Sequence, residues 1–451
     1  MSLAEARRYI GLSKPRSPGA HWIEGEGVPS LFVVDGSRLY DADPAFRAAF
    51  ETAALGAGSA DADNLLREAG LTGAPHIGDE AVMAPPIRAL SLAVAQKCNL
   101  GCVYCYAEQG SFGGPAKNMS TAEAFAAVDL LVQSAEPGAK LNLAFLGGEP
   151  LVNRAVLRAA TLRGRALAEA RGAAMSFSIT TNGTLLTEDD GRFFEEHGFA
   201  VTISLDGVGA EHDALRPYKS GAGTFDAIMR RVTPLLAMQR RMQVSARVTV
   251  TPRNLALRST LDSFIAEGFH SVGFSPMLSA PSGRGEMQGD HFEAMLGELI
   301  DCGQEYERRR RARERYPFAN MDNAMREIDR GTHRPYPCGA GAGYFGVSAD
   351  GALSACHRFV GDDEGAMGSV RTGVDRDRQG AWLRDRHVHR QEPCRSCWAR
   401  YLCGGGCHHE VLRRGRPACD FIRGWLHYCL EAYLRLSRAE ETAKPPAMAD
   451  G

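Results

Sequence analysis

The chain lacks any long apolar run. No stretch approaches the ~20 apolar residues of a membrane span, and the opening MSLAEARRYIGLSKPRSPG has no secretory-signal core. A cytoplasmic protein is therefore expected. Charge of one sign is also missing: 52 Lys and Arg against 54 Asp and Glu leave a formal charge of -2. No global field recruits nucleic acid or an anionic membrane, and neither is expected as a partner. No internal repeat or low-complexity tract is present. What remains, 44% hydrophobic and 24% charged over 451 residues, suits a globular protein of two or three domains.

Cysteine is plentiful, with 12 in the chain. Without an export signal these argue for metal or redox chemistry rather than disulfides, because cytosolic thiols are kept reduced. Cys98, Cys102 and Cys105 stand together in AQKCNLGCVYCYAEQ, Cys302 stands alone, and eight more fall between Cys338 and Cys429. Four thiolates complete a zinc site or an iron-sulfur cluster. Three at CxxxCxxC spacing leave one metal position open, or form a zinc site that borrows a distant histidine.

From residue 88 to about 277, short apolar runs alternate with helical patterns, the mark of βα units. Strands are expected at 88–95, 140–146, 175–181, 200–206, 244–251 and 271–277. Helices are expected from Ser120, whose Ser-Thr-Ala-Glu makes a capping box, and over 153–171, 187–197, 223–238 and 255–268. The expected fold class is α/β, a partial (βα)6 TIM-like barrel with a small N-terminal α+β module and a C-terminal cysteine-rich domain. The boundaries are 1–87 for the module, 88–302 for the barrel, 303–337 for a helical linker, 338–435 for the cysteine-rich domain and 436–451 for a flexible tail. In the module, HWIEGEGVPSLFVVDGSRLYDAD reads as a hairpin turning at Asp35-Gly36, with two helices after it. The run Arg308 to Arg311 reads as a solvated helix face, the alternative being a grip on an acidic partner.

In parallel α/β folds chemistry gathers at the carboxyl ends of the strands. The cysteine loop follows the first strand, GGEP (147–150) the second, TNGT (181–184) the third and DGVG (206–209) the fourth. With this cysteine spacing, an aromatic before the third cysteine and GGEP at the next strand end, residues 88–277 resemble the radical S-adenosylmethionine enzymes. The resemblance implies that Cys98, Cys102 and Cys105 hold a [4Fe-4S] cluster whose fourth iron is chelated by S-adenosylmethionine. It further implies cofactor contacts from Tyr104, Gly147, Gly148, Glu149, Pro150, Asn182, Ser204 and Arg247. For Asn182, Ser204 and Arg247, buried structural hydrogen bonding competes with that role. Asp206 is a candidate proton acceptor at a strand end.

The tail reads Cys338, Gly351, Cys356, CRSCWARYLCGGGC (394–407), Cys419 and Cys429. It resembles the SPASM domain, which implies two auxiliary [4Fe-4S] clusters and three clusters in all. By that resemblance Cys394, Cys397, Cys403 and Cys419 hold the distal cluster, and Cys338, Cys356 and Cys407 the proximal one. No further cysteine lies between Cys338 and Cys356, so the proximal cluster keeps an open iron or recruits Cys429. Cys429 otherwise reads as a helix-face residue and Cys302 as structural, with His408 and His409 packing beside a cluster or acting as donors to it.

SPASM-bearing radical enzymes mostly modify peptides, and the module looks like a leader-recognition unit to which a peptide adds as a strand. The combination CNLGCVYCYAEQGSFG, CGGGCHHE and CDFIRGW most resembles the maturases of quinohemoprotein amine dehydrogenase and related thioether-forming crosslinkers. The resemblance implies a peptide or small protein substrate with a leader segment, and an electron donor such as flavodoxin or ferredoxin. The expected activity is an intramolecular crosslink in the substrate, with auxiliary clusters taking the surplus electron. Alternatives are carbon-carbon or carbon-oxygen crosslinking, sulfatase-type formylglycine formation, and a non-enzymatic electron carrier.

Overall fold

The first 87 residues fold around a three-stranded antiparallel sheet. In the computed structural model, which describes residues 3–24, 28–56, 59–72, 75–133 and 135–442, α1 (Leu3–Leu12) precedes β1 (Ala20–Ile23), β2 (Ser30–Val33) and β3 (Arg38–Asp41). The hairpin joining β2 to β3 turns through Asp35 and Gly36, the latter at φ 82°, where a side chain would be strained. Two helices follow as the sequence predicts, α2 (Pro44–Gly56) and α3 (Ser59–Glu68). They close a small core of Leu31, Val33, Phe50, Ala62 and Leu66. The alternate residues Phe32 and Val34, with Ala6 and Tyr9 of α1, join the main core instead. Strand alternation thus sews the module onto the rest of the molecule.

All six expected barrel strands form. β4 (Ala89–Gln96), with the short β5 (Lys117–Asn118) on its end, is followed by α4 (Thr121–Gln133), β6 (Lys140–Gly147), α5 (Arg154–Ala170) and β7 (Ala174–Thr181). The chain continues through α6 (Glu188–His197), β8 (Ala200–Ser204), α7 (Ala210–Leu215), α8 (Phe225–Met238), β9 (Gln243–Val250), α9 (Leu257–Ala266) and β10 (Val272–Pro276). The strands run parallel in the order β10-β9-β8-β7-β6-β4. Leu143, Phe145, Phe177, Ile179, Val201, Ile203 and Val248 pack outward against the helices. The intervening residues, such as Ser178, Thr202 and Thr249, are small, polar and partly open, so the concave face is hollow rather than filled. Capping is partly as predicted: Glu123 N donates to Ser120 Oγ at 3.1 Å, but the Glu123 side chain pairs with Arg371 instead of closing the box.

Beyond the barrel, α10 (Gly289–Arg311) and α11 (Ala319–Asp329) lead to β11 (Tyr344–Val347), β12 (Ala352–Ser354), β13 (Ala366–Ser369) and β14 (Gly373–Val374). β11 lies parallel to β4, pairing Tyr344 with Ala89 and Val347 with Leu92, so one sheet runs from the barrel into the cysteine-rich region. α12 (Arg376–Arg386), α13 (Arg400–Cys403), α14 (His408–Arg414) and the long α15 (Cys419–Thr442) complete the chain. α15 continues past residue 435, and positions 443–451 of the expected tail lie outside the described residues. In the arginine run, Arg308 and Arg309 bond Glu305 at 2.6–2.8 Å, and Arg311 lies 3.4 Å from Glu307. Among the described residues no helix is long and apolar enough to cross a membrane.

Candidate active site

The cysteine loop leaves β4 at the mouth of the open barrel. Burial raises the pKa of Cys98 and pushes that of Cys102 up to about 11, and the charge of Cys105 adds to both. Leu100 N donates to Cys98 Sγ at 3.4 Å and Gln109 N to Cys105 Sγ at 3.2 Å. Such thiols are poor nucleophiles until a cation displaces their protons.

The GGEP turn packs directly on this loop. Gly148 N donates to Ala95 O at 2.8 Å and Glu149 N to Lys97 O at 3.0 Å. A Cβ on Gly148 would fall 2.3 Å from Lys97 O, and one on Gly147, at φ 143°, 2.3 Å from Ala95 O. Both glycines are therefore required by backbone contact with β4 and the cysteine loop. Glu149 is fully buried and accepts from Leu151 N at 3.0 Å, Thr181 Oγ1 at 2.8 Å and Asn182 N at 2.8 Å. Its carboxylate pins the end of β6 to the end of β7. Burial raises its pKa, and these hydrogen bonds oppose the shift. Pro150 opens the short 3-10 turn beyond it.

Asn182 is held on both sides. Its Oδ1 accepts from Thr184 N and Oγ1 at 2.9 and 2.6 Å, and its Nδ2 donates to Asn99 Oδ1 at 3.0 Å with Cys98 Sγ 3.7 Å away. Ser204 ends β8, in register with Arg247 on β9. Arg247 donates to Ser275 Oγ on β10 and has no carboxylate within ion-pair distance among the described residues; burial lowers its pKa.

A second arginine, which the sequence reading did not single out, stands nearer the thiols. Arg216, just after α7, is buried with its guanidinium within charge range of Cys102. Its Nη1 donates to Tyr104 Oη at 2.8 Å and lies 3.4 Å from Asp206 Oδ2, while its Nε has no partner. Tyr104 donates its hydroxyl to the same Asp206 oxygen, and Thr249 N donates to Asp206 Oδ1 at 2.7 Å. Both oxygens of Asp206, the candidate proton acceptor, are thus engaged inside the protein. Burial raises its pKa against the pull of Arg216.

The remaining cysteines separate into groups. Cys394, Cys397, Cys403 and Cys419 line one cavity, whose wall Cys407 also joins; burial raises the pKa of Cys394 and Cys403, and Cys397 and Cys419 add to the rise. Cys338, Cys356 and Cys407 form a second set, with Cys338 and Cys407 exposed. Cys429 belongs to neither: it is buried on α15 with its Sγ 4.0 Å from Met321 Sδ. Cys302 is buried on α10. His408 and His409 are held to about 4 by burial, and each leaves one ring nitrogen unpartnered. Arg358, two residues after Cys356, lies 5.0 Å from the ring of Tyr106, which follows Cys105. His357 meets the same ring edge-on at 5.9 Å, so the first cysteine loop abuts the proximal set.

An open parallel barrel with three thiols at its mouth and further thiol groups behind it belongs to the class of proteins that hold metal or iron-sulfur centres on thiolates. Residues 92–253 match the model of the Radical SAM superfamily. Over 343 residues the chain is 27% identical to a serine-type anaerobic sulfatase-maturating enzyme of Klebsiella aerogenes, covering 73% of this chain and 82% of that protein. Against a cysteine-type anaerobic sulfatase-maturating enzyme of Clostridium novyi it is 28% identical over 235 residues, 48% of this chain and 60% of that one. Among solved structures, native anSMEcpe with bound AdoMet superposes with a TM-score of 0.64 at 19% identity, covering 79% of this chain and 100% of that chain. Streptococcus suis SuiB superposes with a TM-score of 0.52 at 13% identity over 90% of this chain and 98% of that chain. Residues 92–253 thus carry a radical SAM enzyme domain, whose family chemistry runs on S-adenosylmethionine and a [4Fe-4S] cluster.

Proposed function

We propose that this enzyme modifies a peptide or small protein: a hydrogen atom leaves a side-chain carbon for the 5'-deoxyadenosyl radical, a cysteine thiol of the same substrate loses its proton and bonds that carbon, and the surplus electron passes to an auxiliary cluster. The observation that carries this reading is the proximal set: three cysteines, two of them exposed, with Cys429 turned into the core beside Met321. A donor set of three leaves one position for a thiol of the substrate. The distal set of four is complete by itself, which gives two auxiliary [4Fe-4S] clusters and three in all.

The first cysteine set fits its group by donor chemistry. Three thiols leave one iron for the amine and carboxylate of S-adenosylmethionine, and Arg216 brings a buried positive charge with an unpartnered Nε beside Cys102. Arg216 is therefore a better carboxylate partner than Arg247. Bound there, the reduced cluster and S-adenosylmethionine supply a 5'-deoxyadenosyl radical. Glu149 and the two glycines keep the GGEP turn against the cysteine loop, and Tyr104 walls the pocket. Asn182 and Ser204, at the ends of β7 and β8, would face the rest of the cofactor.

The outer edge of β3, which pairs with no strand among the described residues, offers a surface to which a leader segment adds as a further strand. Reducing equivalents come from a small carrier such as flavodoxin or ferredoxin. The narrower likeness to quinohemoprotein amine dehydrogenase maturases rests on the quoted motifs. A second reading, oxidation of a substrate Ser or Cys to formylglycine, is favoured by the names of the sulfatase-maturating relatives.

Anaerobic reconstitution with S-adenosylmethionine, reductant and cysteine-containing peptides from neighbouring reading frames tests these readings. Thioether formation predicts 5'-deoxyadenosine, a product lighter by two hydrogens, and loss of one alkylatable thiol without a new carbonyl. A hydrazide-reactive carbonyl instead establishes formylglycine formation and overturns the crosslink.

A further inference from the structure

Asp206 sits where four separate pieces of chain meet, and every polar atom it offers is taken. Its Oδ1 accepts Thr249 N of β9 at 2.7 Å; its Oδ2 accepts the Tyr104 hydroxyl from the cysteine loop and faces Arg216 Nη1 at 3.4 Å. Its backbone is held equally: Asp206 N donates to His212 Nδ1 at 3.1 Å, and its carbonyl accepts Asn254 Nδ2 at 3.2 Å. His212 in turn bonds Thr224 Oγ1 at 3.0 Å, and Thr224 Oγ1 donates to the Arg216 carbonyl at 2.7 Å. Asp206 thus grips Arg216 by its side chain directly and by its backbone through a relay.

The residue is 0% exposed and Arg216 has 11% of its side chain exposed. A carboxylate in that position is costly to bury unless its partners are fixed. Of the roughly four acceptor sites on its two oxygens, three are engaged by Tyr104, Arg216 and Thr249, and none of the carboxylate is exposed, an arrangement suited to holding its partners rather than to exchanging a proton with substrate. What the geometry does fix is direction. With Nη1 committed to Tyr104 and Asp206, the Nε edge of Arg216 remains for an incoming anion, and Tyr104 is locked as the wall beside Cys105.

We propose that Asp206 is a positioning residue for the cofactor: it orients Arg216 toward the S-adenosylmethionine carboxylate and holds Tyr104 in place, rather than accepting a proton from substrate. This rests on the reading of Arg216 given above. Removing such a supporting partner typically costs 10- to 100-fold in affinity or activity, because the group that makes contact loses its fixed geometry.

The test is Asp206→Asn in the reconstituted holoenzyme, with Arg216→Gln and Tyr104→Phe measured beside it. The dissociation constant for S-adenosylmethionine is followed through the EPR spectrum of the reduced cluster. The proposal expects Asp206→Asn to weaken cofactor binding by roughly tenfold or more, to broaden the cofactor-bound signal, and to raise KM for S-adenosylmethionine more than it lowers kcat. Asp206→Glu should recover part of the affinity, and Tyr104→Phe should lose less than Asp206→Asn. Normal cofactor affinity with deoxyadenosine formed but product lost identifies Asp206 as a proton acceptor and overturns the proposal. Normal affinity and normal product overturn it too. If Arg216→Gln leaves cofactor affinity unchanged, the Arg216 reading fails by itself, whatever Asp206→Asn does. Should Asp206→Asn not fold, the affinity of Asp206→Glu decides: wild-type affinity overturns the proposal, and an intermediate loss upholds it.

Discussion

His212 is buried without an acidic partner bonded to its ring. Its Nδ1 accepts Asp206 N, so its proton sits on Nε2 and faces Thr224 Oγ1 at 3.0 Å. Burial and Arg216 hold its pKa down to about 3, from 6.5 in an unfolded chain. The folded state therefore binds this proton more weakly. The stabilisation is fully present above pH 6.5 and is lost as pH falls from 6.5 toward 3, by about 1.4 kcal/mol per pH unit. Amide-exchange protection over 206–216, corrected for intrinsic exchange, should fall with that slope between pH 6.5 and 5, and His212→Gln should flatten it. At this scale the sequence exposes the cysteines readily, because their spacing is local. It conceals Arg216, because nothing in HDALR says that a six-residue helix will turn the arginine back toward Cys102.

Elements were the most legible level. The six strand runs emerge within a residue or two of their expected ends, since alternation between a helix-packed face and an open one leaves a period of two in the sequence. The helices between them follow for the same reason, with a period near 3.6. α7 was not legible, being too short to show a period. Nor was the pairing of β11 with β4, which joins residues some 250 positions apart and is set by packing. That pairing has a consequence at Gly346, where a Cβ would fall 2.7 Å from Cys356 C and 2.8 Å from His357 N. Gly346→Ala should push the Cys356 loop off the sheet. On the proposal of three [4Fe-4S] clusters, iron content should drop by about four from roughly twelve, with S-adenosylmethionine binding retained. Iron assay and EPR of the isolated variant check this.

Across the whole molecule, the N-terminal module is clamped at Trp398, the residue after Cys397. The indole stacks on His21 at 3.8 Å and donates to Ser13 O at 2.7 Å; Arg400 donates to Pro18 O. Behind it a buried chain runs from His21 Nε2 to His427 Nδ1 at 2.8 Å, from His427 Nε2 to Glu431 Oε1 at 3.2 Å, and from the Tyr9 hydroxyl to Glu431 Oε2 at 2.9 Å. Trp398→Ala should cost about 3–5 kcal/mol and loosen the module from α15. Limited proteolysis should then cleave between residues 13 and 20, where the wild type resists. The sequence by itself determined the order of the six barrel strands and of the longer helices between them, and the grouping of the cysteines, because each is written in local spacing and periodicity; the radical chemistry came with the family resemblance that those motifs carry. Only the tertiary structure decided that Cys429 faces the core, that Arg216 rather than Arg247 stands beside the thiols, that Asp206 is spent on internal contacts, and that the barrel and the cysteine-rich region share one sheet. Those are meetings of residues far apart in the chain, fixed by which faces can be buried together, and spacing along the sequence carries no record of them.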